Sequence, residues 1–177
     1  MPLKKPKPLN ATMSNGIESV QPTQLGNVGV SYFDEGGHGN LGWNDPGPAP
    51  IGRSGIVRFD ADLTKRWEYP SYVANPWGGV DDCYAFDVVG EVAWACYYSE
   101  FLVVRIDGEH VSGWRNPVRG ARALVVGDGG VSILLVGGYG PERDRLVEGR
   151  LSNGGSRLST LVVQRCRVAA SCRPTRL

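Results

Sequence analysis

The chain has 177 residues, an apolar fraction of 41% and a formal net charge of +1. This length predicts one compact domain, and this composition is sufficient for an apolar core. No run approaches the roughly 20 apolar residues of a membrane-spanning helix, and the basic amino terminus lacks the apolar segment of a secretory signal. The totals therefore argue against a membrane protein and predict a cytoplasmic location.

The charges are unevenly distributed along the chain. Residues 34–148 contain 17 acidic and ten basic residues, whereas residues 149–177 contain six arginines and no acid. An acidic body argues against a nucleic-acid-binding surface. The basic end suits a phosphate or an acidic partner, but a solvated chain end is the more ordinary interpretation.

Four cysteines stand at positions 83, 96, 166 and 172, and their spacing matches no zinc motif. In a reducing compartment they are expected to remain free thiols. Cys83 and Cys96 fall within predicted strands, where a cysteine is usually a small buried apolar residue.

Residues 1–15 are rich in proline and lysine and are predicted to be a disordered tail. The first unit, residues 16–70, contains a long stretch at 36–55 with seven glycines and three prolines, which predicts a loop. The four strands predicted around that loop are Ile17–Val20, Val28–Phe33, Ile56–Asp60 and Lys65–Tyr69.

The second unit, residues 80–117, has the clearest strand pattern. Asp107-Gly108 lies between two apolar runs, and glycine readily adopts the positive φ that a tight hairpin turn needs. Alternation along the second strand predicts that Trp94 packs between neighbouring sheets. The predicted strands are Cys83–Val88, Val92–Tyr98, Phe101–Ile106 and Glu109–Arg115.

The third unit, residues 120–164, repeats the same order of strands, tight turns and a longer central loop. Residues 165–177 follow as an irregular basic tail. The predicted strands of this unit are Ala121–Val126, Ser132–Val136, Arg145–Leu151 and Arg157–Gln164.

The three units form a repeat at the spacing of propeller blades. The third strand of each unit ends at Asp60, Asp107 and Leu151, which are 47 and 44 residues apart. The predicted fold class is all-β, with about three four-stranded antiparallel blades in an incomplete propeller, and a β-sandwich is the alternative. Because three blades do not close a ring, either a homo-oligomer or further N-terminal blades are expected to cover the open edges.

A binding site is expected on the face that carries the long loops, because function usually lies in elaborate loops on a rigid scaffold. Asp81-Asp82 and Arg122 lie at the beginnings of first strands and are expected to flank the central opening. The alternative is that these charges cap strand ends and neutralise one another. The candidate ligand-binding residues are Asp34, Glu35, His38, Trp43, Asp81, Asp82 and Arg122.

The sequence predicts no metal and no cofactor. Carboxylates and His38 are suitable ligands for Ca²⁺ or Mg²⁺, but their spacing matches no known loop. Gly37, Gly39 and Gly42 match the dinucleotide-binding pattern, but the prolines that follow prevent the helix which that pattern requires.

No catalytic motif is present, so no catalytic residue is assigned. The first hypothesis is a soluble, propeller-like module that binds a small polar ligand or a protein, without nucleic-acid or membrane partners. The second is a propeller hydrolase or lyase for a small polar substrate, using Asp81, Asp82 and His38. The third is a shortened, inert propeller fragment.

Residues 30–150 resemble a group of uncharacterised bacterial proteins with propeller-like repeats. The resemblance is carried by SYFDEG (31–36), PGPAPIG (46–52), GIVRFD (55–60), DDCYAFDV (81–88), AWACYY (93–98), GARAL (120–124) and LLVGGYG (134–140). It implies a propeller-like fold and no assigned activity. Members of the group are longer on the N-terminal side, which implies that N-terminal blades are missing here.

Overall fold

The computed structural model describes residues 12–39, 41–152 and 158–165. Within them the protein is all-β, with three four-stranded antiparallel sheets whose strands follow the chain order. All twelve predicted strands are present, and their ends lie within two residues of the predicted ones. The fold class predicted from the sequence is therefore confirmed, whereas the tails predicted at 1–15 and 165–177 lie largely outside the described residues.

The first sheet surrounds the long loop. That loop was predicted to be irregular throughout, but it contains a one-turn helix, α1 (Asp34–His38), and a 3₁₀ turn at Ile51–Ser54. Both turns pack closely on the ring of Tyr32, where a Cβ at Gly36 or Gly52 would collide with the ring. The strands are β1 (Ile17–Pro22), β2 (Val28–Tyr32), β3 (Ile56–Phe59) and β4 (Lys65–Glu68).

The second sheet lies between the other two. Its outer hairpins turn at Gly90 (φ 65°) and Gly108 (φ 61°), a backbone conformation that favours glycine. The strands are β5 (Asp82–Val89), β6 (Val92–Tyr98), β7 (Val103–Asp107) and β8 (His110–Trp114).

The third sheet has the same antiparallel order. Its first three strands pair without a register shift, and the last pairing contains one irregularity at Glu148/Gly149. The strands are β9 (Ala123–Gly127), β10 (Ser132–Val136), β11 (Arg145–Leu151) and β12 (Leu158–Arg165).

Strand β6 connects two apolar cores, because successive side chains of a strand point to opposite faces. Trp94 and Cys96 pack into the core shared with the third sheet, whereas Ala95 and Tyr97 pack into the core shared with the first. The Trp94 ring stacks on Trp114 at 5.8 Å between centroids. The predicted packing role of Trp94 is confirmed.

The first strands of the three sheets lie together. β5 contacts β1 and β2 of the first sheet and β9 of the third. The outer face of the first sheet is not bare, although an open-ended arrangement predicts its exposure. Val30, Val57 and Phe59 are buried there, and Met13 and Ile51 pack against this cluster.

The turns opposite the long loops also connect neighbouring sheets. The Glu91 carboxylate, between β5 and β6, accepts hydrogen bonds from the Leu25 N–H at 2.6 Å and from the Asn27 side chain at 3.4 Å. The Leu25 hydrogen bond is the main reason that the pKa of Glu91 is lowered. The ionised Glu91 carboxylate therefore stabilises the fold above the unfolded-state pKa. This stabilisation is lost as the pH falls through the lower folded-state pKa.

We expect Glu91→Gln to lower the thermal unfolding midpoint at pH 7 and to lower it less at pH 3, because protonation removes the wild-type charge as the pH falls. Thermal unfolding followed by circular dichroism at the two pH values measures the difference. Glu148→Gln, an exposed change on the third sheet, serves as the control. An equal loss at both pH values would show that the charge of Glu91 is not what matters.

Candidate functional site

An open cavity of about 520 Å³ lies where the first strands of the sheets meet, on the side of the long loops. We call it the central cavity. Residues from β1, from the start of α1, from β5 and from the segment before β9 line it. They are Glu18, Phe33, Asp34, Asp82, Cys83, Tyr84 and Arg122.

Backbone irregularities occur in the two strands that supply most of these side chains. The β1–β2 register shifts between Ile17 and Ser19, which places Glu18 at the irregularity. The β5–β6 register shifts between Cys83 and Ala85, which places Tyr84 there. A β-bulge redirects side chains and is common next to functional sites. The bulge in β5 explains how three consecutive residues line one cavity.

The central cavity has more negative than positive charge. Of the described lining residues, Glu18, Asp34 and Asp82 contribute carboxylates and Arg122 contributes a guanidinium. No ion pair joins any of these four side chains to another among the residues that the structure describes. Burial raises the pKa of Asp82 to about 6, with further contributions from the negative charges of Asp34 and Glu18. Within the described part of the chain, the like charges are therefore not compensated by an ion pair.

The wall behind Cys83 contains a buried hydroxyl. Ser31 is fully buried, and its Oγ has no strong hydrogen-bond partner among the residues that the structure describes. Its neighbour is the thiol of Cys83, a weak acceptor that donates its own proton to the Ala85 carbonyl. A buried hydroxyl with so weak a partner is uncommon in a protein interior.

Tyr84 also belongs to an aromatic cluster at the rim, formed by Tyr84, Tyr98, Phe101 and Tyr139. The Tyr139 hydroxyl donates a hydrogen bond to the Tyr84 hydroxyl at 2.7 Å, and the two rings meet edge to face at 6.2 Å. Tyr98 and Tyr139 are 45% and 47% exposed. Large aromatic surface with hydroxyl groups is therefore available to a ligand on this face.

A second open cavity of about 460 Å³ lies beside the central cavity, and we call it the basic cavity. Arg122 lines both cavities, and Tyr139 lines the basic one. The remaining lining residues are Gly138, Gly140, Arg143 and Asp144. The described residues thus give the basic cavity two guanidinium groups and one carboxylate.

Three of the predicted site residues, Asp34, Asp82 and Arg122, line the central cavity together. Asp81 does not join them. Its carboxylate accepts a hydrogen bond from the Tyr72 hydroxyl at 2.8 Å, and it lines a different cavity of about 300 Å³. The predicted Asp81–Asp82 pair at the central opening is therefore corrected to Asp82 alone.

Glu35, His38 and Trp43 line neither the central nor the basic cavity. Glu35 and His38 are exposed on α1, and Trp43 is half-buried in the loop beyond it. The His38 carbonyl accepts a hydrogen bond from the Asn44 side chain at 2.9 Å. Among the described side chains, His38 forms neither an ion pair nor a hydrogen bond with Asp81 or Asp82, the contact on which the hydrolase hypothesis depends.

The sequence prediction missed Glu18, Phe33 and Tyr84. Tyr84 carries a usable signal, since it follows Asp82 by two positions in the same first strand and therefore shares its side of a regular strand. Glu18 lies in the first strand of its unit, as Asp82 does, and this equivalence within the repeat was the signal that could have identified it.

The described residues contain no group of three His, Cys, Asp or Glu side chains arranged to hold a metal ion. Nor does the described part of the chain include a helix long and apolar enough to cross a membrane. A scan against protein-family models and a search of curated proteins both find no match to the chain.

Proposed function

We propose that this protein is a binding module whose central cavity holds a small ligand through a positively charged group. The observation that carries the proposal is the convergence of Glu18, Asp34 and Asp82 on one cavity without an ion-pair partner among the described residues. A cation placed among these groups relieves their mutual repulsion. Protonated amines form charge-assisted hydrogen bonds with carboxylates, which are stronger than hydrogen bonds between neutral groups.

The origin of the three carboxylates supports a binding role. They come from β1, from the start of α1 and from β5, so the chain folds three separate segments to bring like charges together. Repulsion of this kind costs free energy in the empty protein. A cluster of like charges at one cavity, next to two β-bulges, is typical of a functional site.

The propeller architecture is part of the proposal. Three meander sheets follow one another at blade-like spacing, and their first strands lie together, as they do around a propeller axis. The resemblance to bacterial propeller-like repeat proteins agrees with this arrangement. The ligand then occupies the position where propellers commonly have their central opening, with the long loops around it.

The binding proposal is tested by titrating the ¹⁵N-labelled protein with putrescine at pH 7.5 and low salt. We expect amide shifts concentrated at Asp34, Asp82 and Tyr84, with saturation in the millimolar range because the cavity is open. The matched probe 1,4-butanediol has a similar length without charge and is expected to cause no saturable shift. Added salt is expected to weaken putrescine binding, since open charge pairs are screened.

Asp34→Asn supplies the protein control, because it removes one cavity charge at an exposed position. Its matched variant is Glu35→Gln, one residue further on and outside the cavity. We expect putrescine binding to weaken about tenfold in Asp34→Asn and to remain unchanged in Glu35→Gln. Equal binding of putrescine and butanediol, or equal effects of the two variants, would refute the proposal.

Asp82 favours one second candidate, a hydrolase or lyase for a small polar substrate. A carboxyl with a pKa of about 6 is partly protonated near neutral pH and is suited to general acid catalysis. In this version of the enzyme hypothesis, Asp82 is the proton donor and His38 has no role. A panel of nitrophenyl esters and glycosides tests this candidate. Wild-type turnover that exceeds that of Asp82→Asn and falls as the pH rises through 6 supports an enzyme. Equal turnover by the wild type and Asp82→Asn refutes it.

A further inference from the structure

The central cavity and the basic cavity lie side by side on the long-loop face and have opposite charge. The central cavity carries Glu18, Asp34 and Asp82, whereas Arg143 joins Arg122 in the basic cavity. Arg122 lines both of them. A ligand that extends from the central cavity past Arg122 therefore enters the basic cavity.

The boundary between the cavities is aromatic. Tyr84 lines the central cavity and Tyr139 lines the basic cavity, and their hydroxyls are joined by the 2.7 Å hydrogen bond. The Tyr139 ring packs directly over Gly120, where a Cβ would come within 3.0 Å of it. Phe101 supports the ring from another side, at 5.7 Å between centroids. The boundary therefore offers an ordered aromatic surface to the middle of a ligand.

Arg122 and Arg143 are available for an anion. Neither forms an ion pair with an acidic side chain among the described residues. Arg143 uses its Nε to donate to the Gly140 carbonyl at 3.3 Å, and its terminal nitrogens have no hydrogen-bond acceptor among the described residues. Asp144 also lines the basic cavity, so one carboxylate partly offsets the two guanidinium groups.

We infer that the two cavities form one extended site for a short peptide, with the peptide ammonium among Glu18, Asp34 and Asp82 and the peptide carboxylate at Arg122 and Arg143. This inference rests on the proposed binding function and specifies its ligand. Opposite charges at the two ends, with an aromatic surface between them, match a zwitterion that has an apolar middle.

The dimensions favour a peptide over a single amino acid. The Tyr84 and Tyr139 ring centroids are 6.2 Å apart, and Tyr84 lines the central cavity whereas Tyr139 lines the basic cavity. An extended chain spans about 3.3–3.6 Å per residue, so about two residues cover the distance between the two rings. An aromatic side chain in the middle of a tripeptide then meets the tyrosine rings.

The test compares three forms of one tripeptide by isothermal titration calorimetry at pH 7.5 and low salt. They are Gly-Tyr-Gly, its C-terminal amide and its N-acetyl derivative, which differ only in their end charges. We expect the free tripeptide to bind about tenfold more tightly than the amide and to lose at least as much affinity on acetylation, since each lost charge removes a charge-assisted hydrogen bond.

Variants assign each end of the peptide to a cavity. In Arg143→Ala the free tripeptide is expected to bind about tenfold more weakly, whereas the affinity of the amide is unchanged because it has no carboxylate. Arg150→Ala removes an exposed arginine on β11, outside both cavities, and is expected to change neither affinity. Circular dichroism confirms that each variant is folded.

The possible outcomes separate this inference from the proposed function on which it rests. If putrescine binds but the free tripeptide and its amide bind equally, the extended site is refuted and the cation site stands. If acetylation has no effect, or if none of the three peptides binds, the inference is overturned, and the putrescine titration then decides the proposed function separately.

Discussion

Replacing Trp94 with alanine is expected to destabilise the fold by about 3–5 kcal/mol, the usual cost of emptying a large buried aromatic site. Trp94 is 2% exposed on β6, an inner strand of the middle sheet, and its ring stacks on Trp114. It belongs to the cluster that includes Ile133 and Leu135 of the third sheet. The loss therefore weakens the contact between two sheets as well as the packing within one.

Chemical unfolding in urea measures this prediction, with Trp94→Phe as a partial substitution and Val125→Ala as the exposed control. Val125 is 54% exposed on β9, so its truncation is expected to change stability by no more than about 0.5 kcal/mol. The loss of stability in Trp94→Phe is expected to lie between those of Trp94→Ala and Val125→Ala. If Trp94→Ala costs less than about 1 kcal/mol, the second and third sheets are not stabilised by this core.

The second large effect is expected from Asp82→Asn, which should abolish putrescine binding and at the same time stabilise the fold near neutral pH. Burial and the charges of Asp34 and Glu18 raise the folded-state pKa of Asp82 to about 6. An unfolded aspartate titrates near 3.9. The folded state therefore binds more protons between these values, and the stability of the wild type declines as the pH rises from about 4 to about 6.

Asparagine does not carry this charge, so the variant is expected to be more stable than the wild type above pH 6 and nearly equal to it at pH 4. We expect a gain of about 1 kcal/mol at pH 7.5, well below the full pKa shift because the cavity is open to solvent. Thermal and urea unfolding at the two pH values measure it. A variant less stable than the wild type at pH 7.5 would contradict the electrostatic account of the cavity.

The strands of this protein are predictable because local signals agree with the tertiary structure. Alternation along β6 predicts that Trp94 faces one neighbouring sheet, and glycines at 90 and 108 predict the hairpins. Each of these signals depends on residues that are close in sequence. The helical turns in the long loop have no such local signal, because they form where Gly36 and Gly52 pack against Tyr32. The sequence shows many glycines there but not which of them contact a ring.

The candidate site is only partly predictable for a similar reason. Asp34, Asp82 and Arg122 were predicted as members because they lie at loops and strand ends on one face. The separation of Asp81 from Asp82 depends on side-chain directions at the beginning of β5, next to a bulge that no local signal announces. Glu18 looks like an ordinary exposed residue of a strand, and its role becomes visible only when β1 is placed against β5.

The most direct test of the cation-binding cavity is a carboxyl-detected NMR titration of Asp82 from pH 3 to pH 8, with and without saturating putrescine. A free-protein pKa of about 6 is expected because of burial and the neighbouring acids. Bound putrescine is expected to lower this pKa, since a cation next to the carboxylate favours its charged form. An Asp82 pKa that is unchanged by putrescine would contradict the account.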